Sequence, residues 1–92
     1  VTSRAPEGRR DLIYQEVSDG GVLFDARGEK VYVLNATAAF VWNCLDGRRA
    51  APEIAQELAS ALGASAPDAA RLRKDVDRAL DDFRRQKLLA EA

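Results

Sequence analysis

Leu34-Asn35-Ala36-Thr37-Ala38-Ala39-Phe40-Val41-Trp42-Asn43-Cys44-Leu45-Asp46-Gly47 takes a strand into a helix through a single residue. Upstream of it, Lys30 to Leu34 is dense in β-branched and aromatic side chains, which pack well on a pleated surface. Asn35 ends that strand, because its side-chain oxygen can accept from the N–H groups that open a helix. Ala38, Val41, Trp42 and Leu45 recur at helical spacing, and Asp46-Gly47 offers a residue tolerant of positive φ where the helix must stop. A short sheet is thereby locked directly onto a helix.

Working back from this junction, Ala26-Arg27-Gly28-Glu29 reads as a turn and Val22-Leu23-Phe24 as a second strand. Ser18-Asp19-Gly20-Gly21 reads as another turn, rich in residues that tolerate positive φ, and Leu12 to Val17 suits a first strand. Short connections make the three an antiparallel meander, which must bury one face under helices and keep open edges. Residues 1 to 10 hold three arginines and almost no apolar partner, and are expected to form a flexible arm ahead of a domain spanning residues 11–92.

Working forward, a second helix begins near Ala51-Pro52, where a proline removes no needed bond, and carries Ile54, Ala55, Leu58 and Leu62 on one stripe until Gly63. Ser65 with Asp68 resembles a capping box, with Pro67 in the first turn of a third helix that runs to about Gln86. That helix shows Leu72, Val76, Ala79, Leu80 and Phe83 on one face, and Leu88-Leu89 pin its end to the core. Its charges alternate in sign, with Asp81 to Arg85 the favoured i,i+4 pair and Arg71 to Asp75 the weaker orientation, each worth about 0.2–0.5 kcal/mol. Such a face reads either as solvated surface or as the rim of a site for a charged peptide.

The totals exclude more than the motifs do. A chain of 92 residues is one small domain, and 47 % hydrophobic against 32 % charged residues marks it as ordered. With no His and a single Cys, it cannot build His-based acid–base catalysis, a His or multi-Cys zinc site, or an internal disulfide. Cys44 lies within an apolar helix without a His partner, so packing is its expected role. A net charge of −1 argues against broad attraction to nucleic acid. No run approaches the roughly 20 apolar residues of a membrane span, and no signal-peptide pattern opens the sequence, so a cytoplasmic location is expected. Binding, without metal or cofactor, is the expected trade.

With these residues in hand the chain resembles the PqqD-like family, small peptide chaperones also called RiPP recognition elements. Leu34-Asn35, Thr37-Ala38-Ala39, Val41-Trp42 and Leu45-Asp46-Gly47 are similar to the family's "LN-x-T-A-A-x-I-W-x-x-L-D-G" signature. Glu53-Ile54-Ala55 with Leu58 is similar to its "E-I-A-x-x-L", and Asp75-Val76, Leu80, Phe83 and Leu88-Leu89 to its "D-V…L…L…G-L-L" ending. Two positions depart from the pattern: Ala50 stands where Ser or Thr often caps the second helix, and Lys87 where Gly closes the third. The Ala26–Glu29 segment is more similar to the generic family than to the pyrroloquinoline quinone pathway's own member.

The resemblance implies an α+β, winged-helix-like domain of three antiparallel strands followed by three helices. It implies that the domain binds the leader segment of a ribosomally made precursor peptide and presents it to a modifying enzyme such as a radical S-adenosylmethionine maturase or a leader protease. In the family the leader adds as a strand to the third strand and lies against the third helix. Here that means the main chain of Lys30, Val31, Tyr32, Val33 and Leu34, and the Leu72, Asp75, Val76 and Ala79 side of the last helix. Either Val31 and Val33 or Tyr32 and Leu34 would bond the peptide, depending on register. Leu72 and Val76 would floor the groove unless they are plain core; Asp75 and Arg78 would read charge unless Asp75 merely pairs with a neighbouring arginine. Two other functions fit the same architecture: a winged-helix nucleic-acid binder, disfavoured by the interspersed aspartates, and a structural module that dimerises through its free edge or Phe40.

Overall fold

The computed structural model describes residues 5–63 and 67–90. Three strands, β1 (Ile13–Val17), β2 (Gly20–Asp25) and β3 (Lys30–Asn35), precede three helices, α1 (Ala36–Asn43), α2 (Ala51–Leu62) and α3 (Ala69–Arg85). The strands form one antiparallel sheet in the order β1-β2-β3, the expected α+β meander. Leu23 and Leu34 point from the sheet into a core shared with Val41 of α1, Ile54 of α2 and Val76 of α3. Phe83 is buried and meets Trp42 edge-on, ring centres 5.4 Å apart and planes at 82°. Phe40 is half-buried and packs on the core rather than standing free.

The junction that decides the fold forms as its residues dictate. Asn35 closes β3 and caps α1, its side-chain oxygen accepting from the Ala38 N–H at 2.8 Å. The helix stops earlier than Asp46-Gly47, with Cys44 as its C-cap. Long-range pairing draws the chain away there: Asp46 bridges Glu7, and the Gly47 N–H donates to the Pro6 carbonyl at 3.2 Å. Asp46 then holds a turn by accepting from the N–H groups of Arg48 and Arg49 at 2.9 and 3.1 Å, and Gly47 takes a φ of +78°.

Gly20 and Gly21 lie in β2 rather than in the turn, which contracts to Ser18-Asp19. Both need to lack a side chain, since a Cβ on Gly21 would strike the Tyr14 ring and one on Gly20 the Leu34 carbonyl. At α2 the Ala50 cap offers no side-chain bond, yet Glu53 reaches back to accept from the Ala50 N–H at 2.9 Å, one half of a capping box. At α3 the cap is Asp68 itself, accepting from the Arg71 N–H at 2.8 Å, so Pro67 precedes the helix. Ser65 lies outside the described residues. Lys87 adopts a φ of +61° and makes the left-handed stop that glycine usually provides. The Leu88 N–H then bonds the Phe83 carbonyl at 2.8 Å and the Lys87 N–H that of Arg84 at 3.1 Å, a Schellman motif.

Residues 6–9 differ from the expected free arm. The Arg9 N–H donates to the Leu88 carbonyl at 2.9 Å and the Ala90 N–H to the Glu7 carbonyl at 2.7 Å, so this segment is clamped against the C-terminal end of the domain. Gly8 lies on the Trp42 indole, where a Cβ would approach a ring carbon to 2.6 Å. Arg9 adds a bond to Asp11 and a second to the Lys87 carbonyl at 3.1 Å. On α3, Asp81 pairs with Arg84 and Asp82 with Arg85, both at i,i+3, in place of the expected Asp81–Arg85 pair.

Candidate binding edge and cleft

Among the described residues β3 is paired on one side only, which leaves its far edge open. Val17 and Gly20 flank the two-residue Ser18-Asp19 loop and face each other, and such a flanking pair is hydrogen-bonded. The register then runs without a bulge, so Gly20, Val22 and Phe24 bond toward β1 while Gly21, Leu23 and Asp25 bond Leu34, Tyr32 and Lys30 of β3. The Leu34 carbonyl, close against Gly20, is indeed aimed at β2. Of the two registers open to the sequence, this leaves the N–H and C=O groups of Val31 and Val33 on the free edge. The backbone groups of Lys30, Tyr32 and Leu34 are consumed within the sheet.

The same alternation sorts side chains. Leu34 is buried and Tyr32 half-buried on the helix-facing side, whereas Val31 and Val33 stand 58 % and 80 % exposed on the outer face. Ile13, Phe24 and Val31 form one cross-strand row there, with Val22 beside Val33 in the next and Val17 at the end. Five of these, all but Val22, are exposed large hydrophobics on a single sheet face.

Where β3 passes into α1, a cleft of ≈ 200 Å³ separates the junction from α3. Asn35, Thr37 and Ala38 line one wall, and Asp75, Arg78, Ala79 and Asp82, spaced along one flank of the helix, line the other. Of the residues singled out on α3, Asp75 and Ala79 therefore reach the cleft. Leu72 and Val76 do not floor it: they are 3 % and 0 % exposed and belong to the core. Leu72 instead borders a separate opening of ≈ 310 Å³ between α2 and α3. The small side chains of Ala38 and Ala79 take the floor role, because the stripe carrying Leu72 and Val76 is turned under the helices. Lys30, at the other end of β3, is not part of the cleft.

The electrostatics of the cleft are divided. Asp75 is bridged by Arg71 at 3.6 Å and Asp82 by Arg85. Arg78 has no carboxylate within ion-pair distance among the described residues. Burial pushes the Cys44 thiol above its ordinary value against a smaller opposing pull from Arg49, which keeps it protonated in the core. Among the described residues no cluster of three or more His, Cys, Asp or Glu is placed to hold a metal ion, and no helix is long and apolar enough to cross a membrane.

Residues 20–89 match the family model described as coenzyme PQQ synthesis protein D (PqqD). The chain belongs to the PqqD family. No curated protein sequence matches it significantly. Among solved structures, this PqqD-family fold is similar to TbiB1 in complex with the TbiA(β) leader peptide, with a TM-score of 0.74 and 17 % identity over 94 % of this chain and 96 % of that one. It is also similar to lasso peptide synthetase B1 complexed with the leader peptide, with a TM-score of 0.75 and 20 % identity over 94 % of this chain and 98 % of that one.

Sequence reasoning missed Asn35, Thr37, Ala38 and Asp82 as cleft residues, and the apolar outer face. Asp82 was accessible, since it lies seven residues beyond Asp75 on the same helix flank. The first three read only as the start of a helix, because their position opposite α3 depends on how the helices pack.

Proposed function

We propose that this PqqD-family protein binds an extended segment of a ribosomally made precursor peptide by strand addition to β3. The observation that carries this reading is the free edge at Val31 and Val33, whose main-chain groups sit on a strand that leads directly into the cleft against α3. Two backbone donors and two acceptors on an open edge give affinity without sequence preference, and the cleft and outer face then read alternate side chains of the guest. Proteins of the same fold were solved with leader peptides bound, which supports a leader as the guest. In this reading the chemistry belongs to a separate enzyme, a maturase or a leader protease, and the complex works in the cytoplasm. A chain without His, whose one Cys is buried, offers no ordinary catalytic pair of its own.

The test is a titration of isotope-labelled protein with the leader segment of a candidate precursor, followed by amide shifts. The reading predicts perturbations along residues 30–35 and on the Asp75–Asp82 flank of α3. Shifts clustered on α2, with residues 30–35 unmoved, would contradict it.

A further inference from the structure

The four aspartates of α3 are each held by an arginine of the same helix: Asp75 by Arg71, Asp77 by Arg73, Asp81 by Arg84 and Asp82 by Arg85. Arg78 is the cation of the cleft wall left over from this pairing among the described residues. It lies three and four residues from Asp75 and Asp82, positions from which a helical arginine ordinarily pairs, but both acids are engaged elsewhere. The outer face of the sheet has the opposite chemistry. By the strand register, no charged residue of β1, β2 or β3 points to it, and Val31 and Val33 are its rim on the open side.

A strand laid along β3 alternates its side chains between these two environments. Those turned outward come to rest about 5 Å from Val31 and Val33, where an apolar neighbour removes water from both partners. Those turned inward at the Asn35 end enter the cleft, where a carboxylate can take the planar, two-pronged bonding that a guanidinium offers. We infer that the peptide recognised here carries two apolar side chains spaced by one residue and turned outward beside Val31 and Val33, followed on the Asn35 side by an acidic one that lies opposite Leu34 and turns inward to Arg78. The inference rests on strand addition at β3 and adds to it the substrate class: an apolar–any–apolar–acid motif within the bound segment, the acid at the Asn35 end.

The experiment uses random 12-residue peptides on a display library, selected separately against the wild-type chain and the Arg78→Glu variant. Arg78 is exposed, so the variant should fold, which a thermal melt checks. Wild-type binders should converge on this motif, and Arg78→Glu binders should carry Lys or Arg in place of its acid. For one wild-type binder, replacing the acid by its amide should weaken binding about three- to tenfold, and the loss should vanish in Arg78→Gln. Binders that shift the Val31 and Val33 amides but show no acid, or whose acid-to-amide change costs nothing, overturn this inference and leave strand addition standing. Failure to select any binder, or binders that leave those amides unmoved, overturns strand addition and the inference together.

Discussion

Val33 separates two roles that are usually entangled in a strand residue. Its side chain is 80 % exposed on the outer face, and its N–H points away from the sheet. Proline is tolerated in an edge strand where the lost N–H faces solvent, so Val33→Pro should keep a cooperative melt while abolishing peptide binding. Tyr32→Pro removes a ladder bond to Leu23 and should unfold the sheet. If the two variants behave alike in thermal melts, the assigned register is wrong. In the core, Phe83 is 2 % exposed and stacks edge-on with Trp42, so Phe83→Ala should cost about 3–5 kcal/mol in denaturant unfolding. Val76→Asp tests nothing about binding, because that side chain is fully buried and a charge there unfolds the protein.

At the level of elements, the ends carry the strain and the sequence-specific chemistry. Lys87 holds a left-handed conformation that costs a non-glycine residue roughly 1 kcal/mol, so Lys87→Gly should raise unfolding free energy by about that amount. The turn after α1 depends on ionised Asp46: bonding to the Arg48 N–H holds its carboxyl below the ordinary 3.8. A depressed value in the folded state means that the stabilisation is complete above the unfolded value and is lost as pH falls through the folded one. The urea-midpoint difference between wild type and Asp46→Asn should therefore be present at pH 7 and shrink as pH falls below 3.8; a difference independent of pH would contradict this. These ends also mark what the sequence could say. The Asn35 cap, the Pro52 start and the α3 stripe are local signals, and each was legible. The early stop of α1 was not, because it follows from Asp46 pairing with a segment nearly forty residues away in the chain. Nor was the glycine pair in β2, whose role depends on a ring and a carbonyl supplied by neighbouring strands.

Across the whole molecule, packing decides which apparent site residues are sites. Leu72, Val76 and Ala79 share one helical periodicity, and only the position of α3 against α1 and α2 sends the first two into the core and the third to the cleft. Residues 6–9 show no periodicity at all, yet main-chain bonds to Leu88 and Ala90 bind them to the domain. The outer sheet face carries five of the six exposed large hydrophobics among the described residues and measures about 15 Å across three strands and about 17 Å along them. That footprint is roughly 250 Å², well below the about 800 Å² per partner of a stable interface. Sedimentation equilibrium at micromolar concentration should therefore find a monomer, and a dimer dispersed by Ile13→Lys would show instead that a second copy covers this face. Strand addition at β3 is tested most directly by amide hydrogen exchange, read residue by residue, with and without a bound leader peptide. Val31 and Val33 should exchange freely in the unbound protein and become protected on binding, while Tyr32 and Leu34 should be protected in both states. Protection of Val31 and Val33 before any peptide is added, or no change in them at saturation, would contradict it.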